Sequence, residues 1–245
     1  METGLDIVVP VYNERENFEA LYQNLCTHVH TPWRVLVVYD FPQDTTLEVA
    51  RPIAEKDPRV VLVLNEGKKV LGAMKTGLAR AEAPAALVLM ADDPVEIISQ
   101  VDAMYARMNE TGAAVVAASR YMPGGSHGKS FTFKAILSRT AGLSLYLLIG
   151  LPTHDATYAT KLFRTSFLKK TPIESTRGFT YAIELTLKAY LSGEKIAEVP
   201  VKWTERTVGT SRFALFAWIK SYLYWYLWGM AQYYLLLGFL RVSRK

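Results

Sequence analysis

The sequence predicts an α/β protein with a mostly parallel, Rossmann-like sheet and helices on both of its faces. The first observation is that short apolar runs alternate with longer segments of helical periodicity as far as residue 119. The second is that the run at residues 85–90 is apolar without a break, as in a parallel strand that is buried on both faces. Five such runs are predicted as strands, at residues 5–11, 35–39, 60–64, 85–90 and 113–119.

The segments between these strands predict the helices that cover the sheet. Helices are expected at residues 15–28, at residues 48–55, after Lys69, and at residues 95–108. Asp44 or Thr45 is the expected cap of the helix at residues 48–55. Alternation of this kind indicates a doubly wound architecture.

The pattern changes after residue 121. A helix at about 129–150, strand-like alternation at 153–164, a helix at 179–191 and a strand at 195–203 are predicted there. Residues 140–150 carry no charge, so this part of the first helix is too short to span a bilayer but long enough to lie in its surface. Glu184 stands alone among apolar residues and is expected to pair with a neighbouring cation. Pro200 places the last strand near a sheet edge.

The C-terminal segment predicts a membrane-associated helical tail at residues 213–245, after a catalytic domain at residues 1–212. Residues 221–240 hold no charged side chain, and 20 helical residues reach roughly 30 Å, the thickness of a bilayer core. Eight of these residues are aromatic, and Trp and Tyr favour the headgroup region. Interfacial or re-entrant helices, broken near Gly229, are therefore preferred to a clean span. The alternative is a helical hairpin packed on the domain itself.

The charge distribution narrows the choice of partners. The formal net charge is +5, and residues 202–245 contain seven basic residues against one acid. A tail that is both basic and apolar favours phosphate or anionic lipid as its neighbour and disfavours nucleic acid. The single cysteine, Cys26, cannot form an internal disulfide and fits a reducing compartment.

Carboxylates follow three of the predicted strands. Glu14, Asp40 and the pair Asp92 and Asp93 stand where strands end, so in a parallel sheet they meet at one crevice. Adjacent carboxylates repel each other and favour a divalent cation, Mg²⁺ or Mn²⁺, shared with substrate phosphates. The alternative is that each acid caps a helix or turn. Neither a glycine-rich fingerprint nor a P-loop is present, and the histidines lack zinc-ligand spacing.

Seven motifs occur in an order that resembles a known family. They are IVVPVYNERENF (7–18), VVYDFPQDTT (37–46), NEGKKVLGAMKTGL (65–78), VLMADDP (88–94), ASRYMPGG (118–125), LSRTAGLSLYLLIGLPTHDAT (137–157) and EVPVKWTERTVGTSRF (198–213). Together they resemble family 2 glycosyltransferases of the GT-A fold, and among these the dolichol-phosphate mannose synthase-like enzymes that act on polyprenyl phosphates. The resemblance covers almost the whole chain.

The resemblance implies a role for particular residues of this sequence. The nucleotide-sugar site would comprise Pro10, Tyr12, Glu14, Asp40, Lys69 and Ala91. The metal ligands would be Asp92 and Asp93, and these would act in catalysis with Arg206 and Arg212 beside the donor diphosphate. The acceptor phosphate would be bound by Arg120, Lys134 and Ser138.

Some positions depart from the family pattern. Tyr39 stands in place of an aspartate and Phe41 in place of a glycine. The metal motif reads Ala-Asp-Asp instead of Asp-Ala-Asp, which leaves open which carboxylates contact the metal. Lys134 stands where the family usually has an arginine. A compact ammonium charge therefore replaces a planar guanidinium with several fixed hydrogen-bond donors.

Independent reasoning supports two of these sites and leaves alternatives open. Lys134 and Ser138 are four residues apart, so they share one helix face and could bind one phosphate; a snorkelling lysine and an ordinary helical serine are the alternative. Arg206 and Arg212 flank a loop rich in hydrogen-bond donors that could close over a diphosphate. Its alternative is a basic loop attracted to anionic headgroups.

The function that the resemblance implies is inverting transfer of a sugar from GDP-mannose or a UDP-sugar to a polyprenyl or dolichyl phosphate. The enzyme would be membrane-associated, at the cytoplasmic face, and a membrane-protein partner is left open. One rival is a transferase of the same fold with a saccharide or other hydroxyl acceptor and Asp155 as base. The other is a non-catalytic membrane scaffold, which Tyr39 and Phe41 motivate.

Overall fold

The computed structural model describes residues 3–128, 133–204 and 215–242. Nine strands are assigned within these ranges: β1 Leu5–Val11, β2 Trp33–Tyr39, β3 Val60–Leu64, β4 Ala85–Val88, β5 Val115–Ser119, β6 Ser126–His127, β7 Lys161–Arg164, β8 Ile196–Pro200 and β9 Lys202–Trp203. The helices there are α1 Arg15–His28, α2 Leu47–Lys56, α3 Lys69–Ala79, α4 Val95–Ile98, α5 Val101–Thr111, α6 Phe133–Ile149, α7 Thr165–Lys170, α8 Tyr181–Leu191 and α9 Leu215–Val242.

Seven strands form one sheet in the order β3-β2-β1-β4-β7-β5-β8. β3, β2, β1 and β4 are parallel to one another, and β5 and β8 are also parallel. β7 runs antiparallel between β4 and β5, which the sequence pattern did not predict. β6 and β9 form a separate parallel pair. The predicted fold class, a mostly parallel sheet covered by helices, is confirmed.

The alternation of side chains along β1 shows why helices lie on both faces. Ile7 and Val9 pack in one core cluster with α1, α4 and α5, whereas Val8 packs in a second cluster with α3 and α8. The second face is tight at α3, because a Cβ added at Gly77 would lie 2.2 Å from Val8 Cγ1. A glycine at this position lets α3 approach the centre of the sheet.

Several predicted boundaries in the first half were wrong. β4 ends at Val88 instead of residue 90, because the Met90 N–H donates to the Asp93 side chain and leaves the ladder. The helix predicted at 95–108 is two helices, α4 and α5. α2 begins without a side-chain cap.

Two predicted strands in the second half are shorter than expected. Of residues 153–164 only β7 is extended, because polar side chains before it bind other parts of the protein. Residues 195–203 divide into β8 and β9 at Val201, whose N–H donates to the Ser119 carbonyl. β8 lies at the sheet edge, as Pro200 predicted. Glu184 is fully buried and pairs with Lys188 at 2.7 Å, which confirms the predicted cation partner.

The tail forms one continuous helix, α9, so the predicted break near Gly229 and the alternative of a hairpin were both wrong. Gly229 faces α8, and a Cβ there would lie 2.6 Å from Leu187 Cδ1. Trp225 of α9 is buried with Leu145 of α6 and Ile183 of α8. Among the residues that the structure describes, no helix combines the length and apolar character needed to cross a membrane. The domain boundary at residue 212 lies outside the described residues and stays a prediction.

Candidate active site

The carboxyl ends of β1, β2 and β4 are adjacent at one edge of the sheet. β1 pairs in parallel with β2 on one side and with β4 on the other. Tyr12, Asp40 and Asp92 therefore follow neighbouring strands at the edge where open α/β sheets bind ligands. The site is built from this edge and from residues that β5, β7 and α6 add beside it.

An aromatic corner, Tyr12 and Phe41, stands at the end of β1 and β2. The Tyr12 side chain is 46% exposed, and its ring meets the Phe41 ring nearly edge-on, with centroids 5.4 Å apart. Pro10 is buried in β1 just before it. The corner presents aromatic surface to solvent beside the strand ends.

Glu14 is oriented by the loop that precedes α2. Its carboxylate accepts a hydrogen bond from Asn17 Nδ2 at 2.5 Å, and its N–H donates to Thr46 Oγ1 at 2.9 Å. Asn13 adopts a φ of 55°, a left-handed conformation that Asn tolerates, and donates its N–H to Asp44 Oδ1 at 3.0 Å. Asp44 thus fastens the two loops together and does not cap α2 with its side chain.

Asp40 is bound to the loop that leads into α3. Its Oδ1 accepts a hydrogen bond from Asn65 Nδ2 at 2.5 Å, and Asn65 Oδ1 accepts one from the Gly67 N–H at 2.8 Å. Lys69, the first residue of α3, is exposed and has a φ of 59°. The three strand ends therefore carry acids that each have their own local partner.

Asp93 is held from three directions. Its Oδ2 accepts hydrogen bonds from the Met90 N–H at 2.9 Å and from Thr160 Oγ1 at 3.0 Å, and its Oδ1 accepts one from Tyr158 Oη at 3.0 Å. Burial raises the pKa of Asp93 to about 6, with a further contribution from the Asp92 charge, although these hydrogen bonds oppose the shift. The neighbouring Asp92 is partly exposed.

The acidic pair fits a divalent cation in part. A carboxylate offers about four lone-pair positions, and three of those on Asp93 are occupied. Mg²⁺ commonly takes one or two carboxylates and completes its shell with water and substrate phosphates, which this pair can supply. Within the described ranges, no group of three or more acidic, His or Cys side chains is close enough to hold a metal. Among the described residues, Glu14 and Asp40 therefore do not form a group of metal ligands with Asp92 and Asp93.

Arg120 and Ser138, which were predicted to bind the acceptor phosphate, are in direct contact. Arg120 follows β5, and its Nη2 donates to Ser138 Oγ on α6 at 3.1 Å. The same guanidinium donates to both carboxylate oxygens of Asp155, with Nε–Oδ2 at 2.7 Å and Nη2–Oδ1 at 3.0 Å. Burial alone would lower the Arg120 pKa, but the Asp155 charge and hydrogen bonds outweigh burial and raise it.

Aromatic rings enclose the Arg120 guanidinium. Its Cζ lies 4.9 Å from the centroid of the Tyr121 ring and 4.3 Å from that of Tyr158. Tyr121 is in turn stacked on His127, whose ring lies 4.6 Å from Trp203. The cation is therefore held by an ion pair and by contacts with two aromatic rings.

Three predicted cations have side chains that lie outside the described part of the structure. Lys134 lies in α6 one turn before Ser138, as its spacing predicted, but its side chain is outside the described part of the structure. Arg206, Arg212 and the loop between them are also outside it. The roles given to these residues stay predictions.

Sequence reasoning missed the residues that connect the site. Tyr158 and Thr160 bind Asp93, and Lys161 is fully buried with its Nζ donating to the Asp155 carbonyl at 2.8 Å. Burial lowers the pKa of Lys161 to about 8. The available signal was a run of polar residues in a segment that otherwise alternates like a strand. Asp155, the base of the rival mechanism, binds Arg120 through both of its oxygens.

Comparisons with known proteins agree on the class. The model of glycosyl transferase family 2 matches residues 6–171. A polyprenol monophosphomannose synthase from Mycolicibacterium smegmatis is 31% identical over 223 residues, which cover 85% of this chain and 80% of the relative. An undecaprenyl-phosphate mannosyltransferase from Micrococcus luteus is 27% identical over 84% of this chain and 86% of its own length.

Solved structures show the same fold at lower identity. Glucosyl-3-phosphoglycerate synthase from Mycobacterium tuberculosis, in complex with phosphoglyceric acid, aligns with a TM-score of 0.70 and 16% identity over 93% of this chain and 80% of that chain. Its complex with Mn²⁺, UDP-glucose and phosphoglyceric acid aligns with a TM-score of 0.69 and the same identity over 93% of this chain and 79% of that chain. At this identity the likeness concerns the fold alone.

Proposed function

The chain belongs to glycosyl transferase family 2, and from this premise we propose that it transfers a sugar from a nucleotide diphosphate sugar to a polyprenyl phosphate, with inversion at the anomeric carbon. Mannose is the sugar that the names of the two relatives give. The observation that carries the proposal is the contact of Arg120 with Ser138 beside the strand-end carboxylates. The proposal assigns this guanidinium and this hydroxyl to the acceptor phosphate.

The donor is proposed to bind along the ends of β1, β2 and β4. Tyr12 and Phe41 present an aromatic corner on which a nucleobase can stack, and Phe41 has the ring that the family's glycine lacks. The carboxylates of Glu14 and Asp40 are suited to accept hydrogen bonds from ribose hydroxyls. The proposed site also includes Pro10, Lys69 and Ala91.

Asp92 and Asp93 are the proposed ligands of Mg²⁺ or Mn²⁺. When bound, the cation supplies positive charge to the departing diphosphate. The contribution of the chain is to hold the Asp93 carboxylate in one orientation through Met90, Tyr158 and Thr160.

Arg206 and Arg212 are proposed to complete the neutralisation of the diphosphate. Their positions near the end of the catalytic domain match the cations of the resembling family. Each guanidinium group carries planar N–H donors that can form paired hydrogen bonds with phosphate oxygens.

The acceptor phosphate needs no dedicated base. A phosphate monoester has a second pKa of about 6 and is largely dianionic at pH 7. Arg120, Lys134 and Ser138 are proposed to orient it, with Lys134 and Ser138 on neighbouring turns of α6. Asp155 is fully buried and both of its oxygens bind Arg120, which disfavours the rival mechanism in which Asp155 deprotonates a sugar hydroxyl.

A membrane surface is the proposed location, at its cytoplasmic face. α6 exposes Leu147 and Leu148, which are 76% and 53% exposed, and α9 exposes Leu223 and Leu227 at 53% and 55%. Apolar side chains on these helices suit contact with the acyl boundary of a bilayer. A polyprenyl chain held there would place its phosphate beside α6.

The test is a transfer assay with labelled GDP-mannose and UDP-sugars, in which polyprenyl phosphate and a soluble sugar are supplied in parallel. Label is expected in the lipid extract, and Asp93→Asn is expected to lower transfer by about 100-fold or more, since the variant loses charge at the diphosphate. Circular dichroism checks that the variant is folded. Transfer to the soluble sugar alone, or near-normal turnover by the variant, would contradict the proposal. A chain that binds neither nucleotide nor Mn²⁺ in calorimetry would support the scaffold.

Lys134→Ala separates the two substrates. It is expected to raise the KM for polyprenyl phosphate much more than the KM for the donor, because the lysine is proposed to bind only the acceptor. The opposite pattern would move Lys134 to the donor side.

A further inference from the structure

Tyr158 is the side chain that contacts both halves of the proposed site, and we propose that it is a positioning residue which sets the distance between them. Its hydroxyl binds the donor-side carboxylate Asp93, and its ring lies against the acceptor-side cation Arg120. This inference rests on the proposed function, since it takes Asp93 as a donor-side group and Arg120 as an acceptor-side group.

The hydroxyl of Tyr158 restrains Asp93 on the side where the other donors do not reach. Met90 and Thr160 both bind Oδ2, whereas Tyr158 binds Oδ1 at 3.0 Å. A carboxylate with hydrogen bonds at both oxygens cannot rotate freely about its last bond. Partners behind a ligand of this kind typically control metal affinity or activity by about 10-fold to 100-fold when they are removed.

The ring of Tyr158 restrains Arg120 from a different direction. The guanidinium lies 4.3 Å from the ring centroid and is bound in its own plane by Asp155. Only 9% of the Arg120 side chain is exposed, so the cation has little space in which to adopt another position. A cation that is shielded from water is attracted to an aromatic face more strongly than an exposed one. The ring therefore limits movement of the Arg120 guanidinium toward Tyr158.

One rigid side chain between two reactive groups has a chemical consequence. An attacking phosphate oxygen must come within about 3–3.5 Å of the anomeric carbon, and a misplacement of about 1 Å can cost roughly 100-fold in rate. Tyr158 connects the cation that holds the phosphate to the carboxylate that holds the donor side. It would therefore keep the distance between the bound acceptor phosphate and the bound donor constant.

Two substitutions separate the hydroxyl from the ring. Tyr158→Phe keeps the ring and removes the hydroxyl, so Mn²⁺–nucleotide affinity, measured by calorimetry without acceptor, is expected to fall about tenfold while the KM for polyprenyl phosphate stays within about twofold. Tyr158→Leu removes both, so it is expected to show the same loss of Mn²⁺–nucleotide affinity together with a rise of about tenfold in acceptor KM.

Two further variants serve as controls. Thr160→Val removes the other side-chain donor to Asp93 and does not contact Arg120, so it is expected to weaken Mn²⁺–nucleotide binding without changing acceptor KM. Tyr22→Phe removes a partly buried tyrosine hydroxyl of α1 that donates to Asp57 Oδ2 at 2.8 Å, away from the proposed site. It is expected to lower thermal stability and to leave binding and both KM values unchanged.

The proposal is overturned if the Tyr158 variants behave like Tyr22→Phe, with lower stability but unchanged Mn²⁺–nucleotide binding and KM values. It is also overturned if the two Tyr158 variants have equal acceptor KM values, because the ring would then have no role of its own. A failure of the proposed function is distinguishable. In that case the wild-type chain itself gives no lipid product. Comparing Mn²⁺–nucleotide binding by the wild type and by Tyr158→Phe still tests whether the hydroxyl positions Asp93.

Discussion

The donor side and the acceptor side of the site are built in different ways. On the donor side, Asp40 and Glu14 follow parallel strands, are partly exposed, and are bound by the nearby amides Asn65 and Asn17. On the acceptor side, Asp155 is fully buried and binds Arg120 at both oxygens. One side has separate carboxylates at the rim, and the other has a buried, paired cation.

The two sides differ in how their charged side chains are held in place. A rim carboxylate stays close to water and loses little when its partner changes. Removing a charge from water has a large free-energy cost, so a buried charge is compatible with a stable fold only while its partner is present. Substitutions on the acceptor side should therefore affect folding as well as binding, whereas those on the donor rim should affect binding alone.

Asp155→Asn should cause the largest loss of stability. It leaves the Arg120 cation buried without a counter-charge, and the free energy of unfolding is expected to fall by about 3–5 kcal/mol in urea denaturation. The control is Glu48→Gln, which breaks the exposed pair of Arg15 and Glu48 and should cost less than about 1 kcal/mol. Equal effects of the two substitutions would remove the distinction between buried and exposed charge.

Gly142→Ala tests how closely α6 approaches the acceptor side. An added Cβ would lie 2.3 Å from the His154 carbonyl oxygen, which is backbone and cannot rotate away. We expect a loss of about 1–3 kcal/mol in the free energy of unfolding, and a higher acceptor KM. Leu147→Ala, on the same helix at a position 76% exposed, should change stability by less than about 0.5 kcal/mol. If both variants are neutral, α6 is not held against residues 154–155.

Lys161→Met tests the second buried cation through pH. The pKa of Lys161 is lowered from 10.5 to about 8, so between these values the unfolded chain binds more protons and stability rises with pH. Between pH 7.5 and 9.5, the free energy of unfolding of the wild type relative to the variant should therefore rise by roughly 1–2 kcal/mol. A difference between wild type and variant that does not change with pH would mean that the pKa of Lys161 is not lowered in the folded protein.

Asp40→Asn should have the smallest effect on stability, under about 1 kcal/mol, because the side chain is at the rim. Donor affinity should fall by about tenfold, as expected when a charged acceptor of a hydrogen bond is lost. Calorimetry with nucleotide measures this, and Glu19→Gln, an exposed acid of α1, is the control. If the Asp40 variant unfolded, this carboxylate at the rim would matter as much for stability as the buried ion pair. The contrast between the two sides would then be wrong.

The donor half was more accessible to sequence reasoning than the acceptor half. Apolar runs that end in Tyr12, Asp40 and Asp92 reveal both the strands and their common edge, because period and composition are local properties. Arg120 and Ser138 could be proposed from resemblance, but their contact and the ion pair with Asp155 could not. The continuity of α9 was also missed, because Gly229 resembles a breaker until its packing on Leu187 is known.

By itself, the sequence determined the class of fold, the parallel strands β1 to β4, the family, and the acids at the strand ends. Only the tertiary structure decided that β7 enters the sheet antiparallel, that Asp155 neutralises Arg120 from 35 positions away, and that Tyr158 binds Asp93 from 65 positions away. The physical reason is that strand and helix periodicity depend on neighbours in the chain, whereas the partner of a buried charge depends on which distant segment is folded against it.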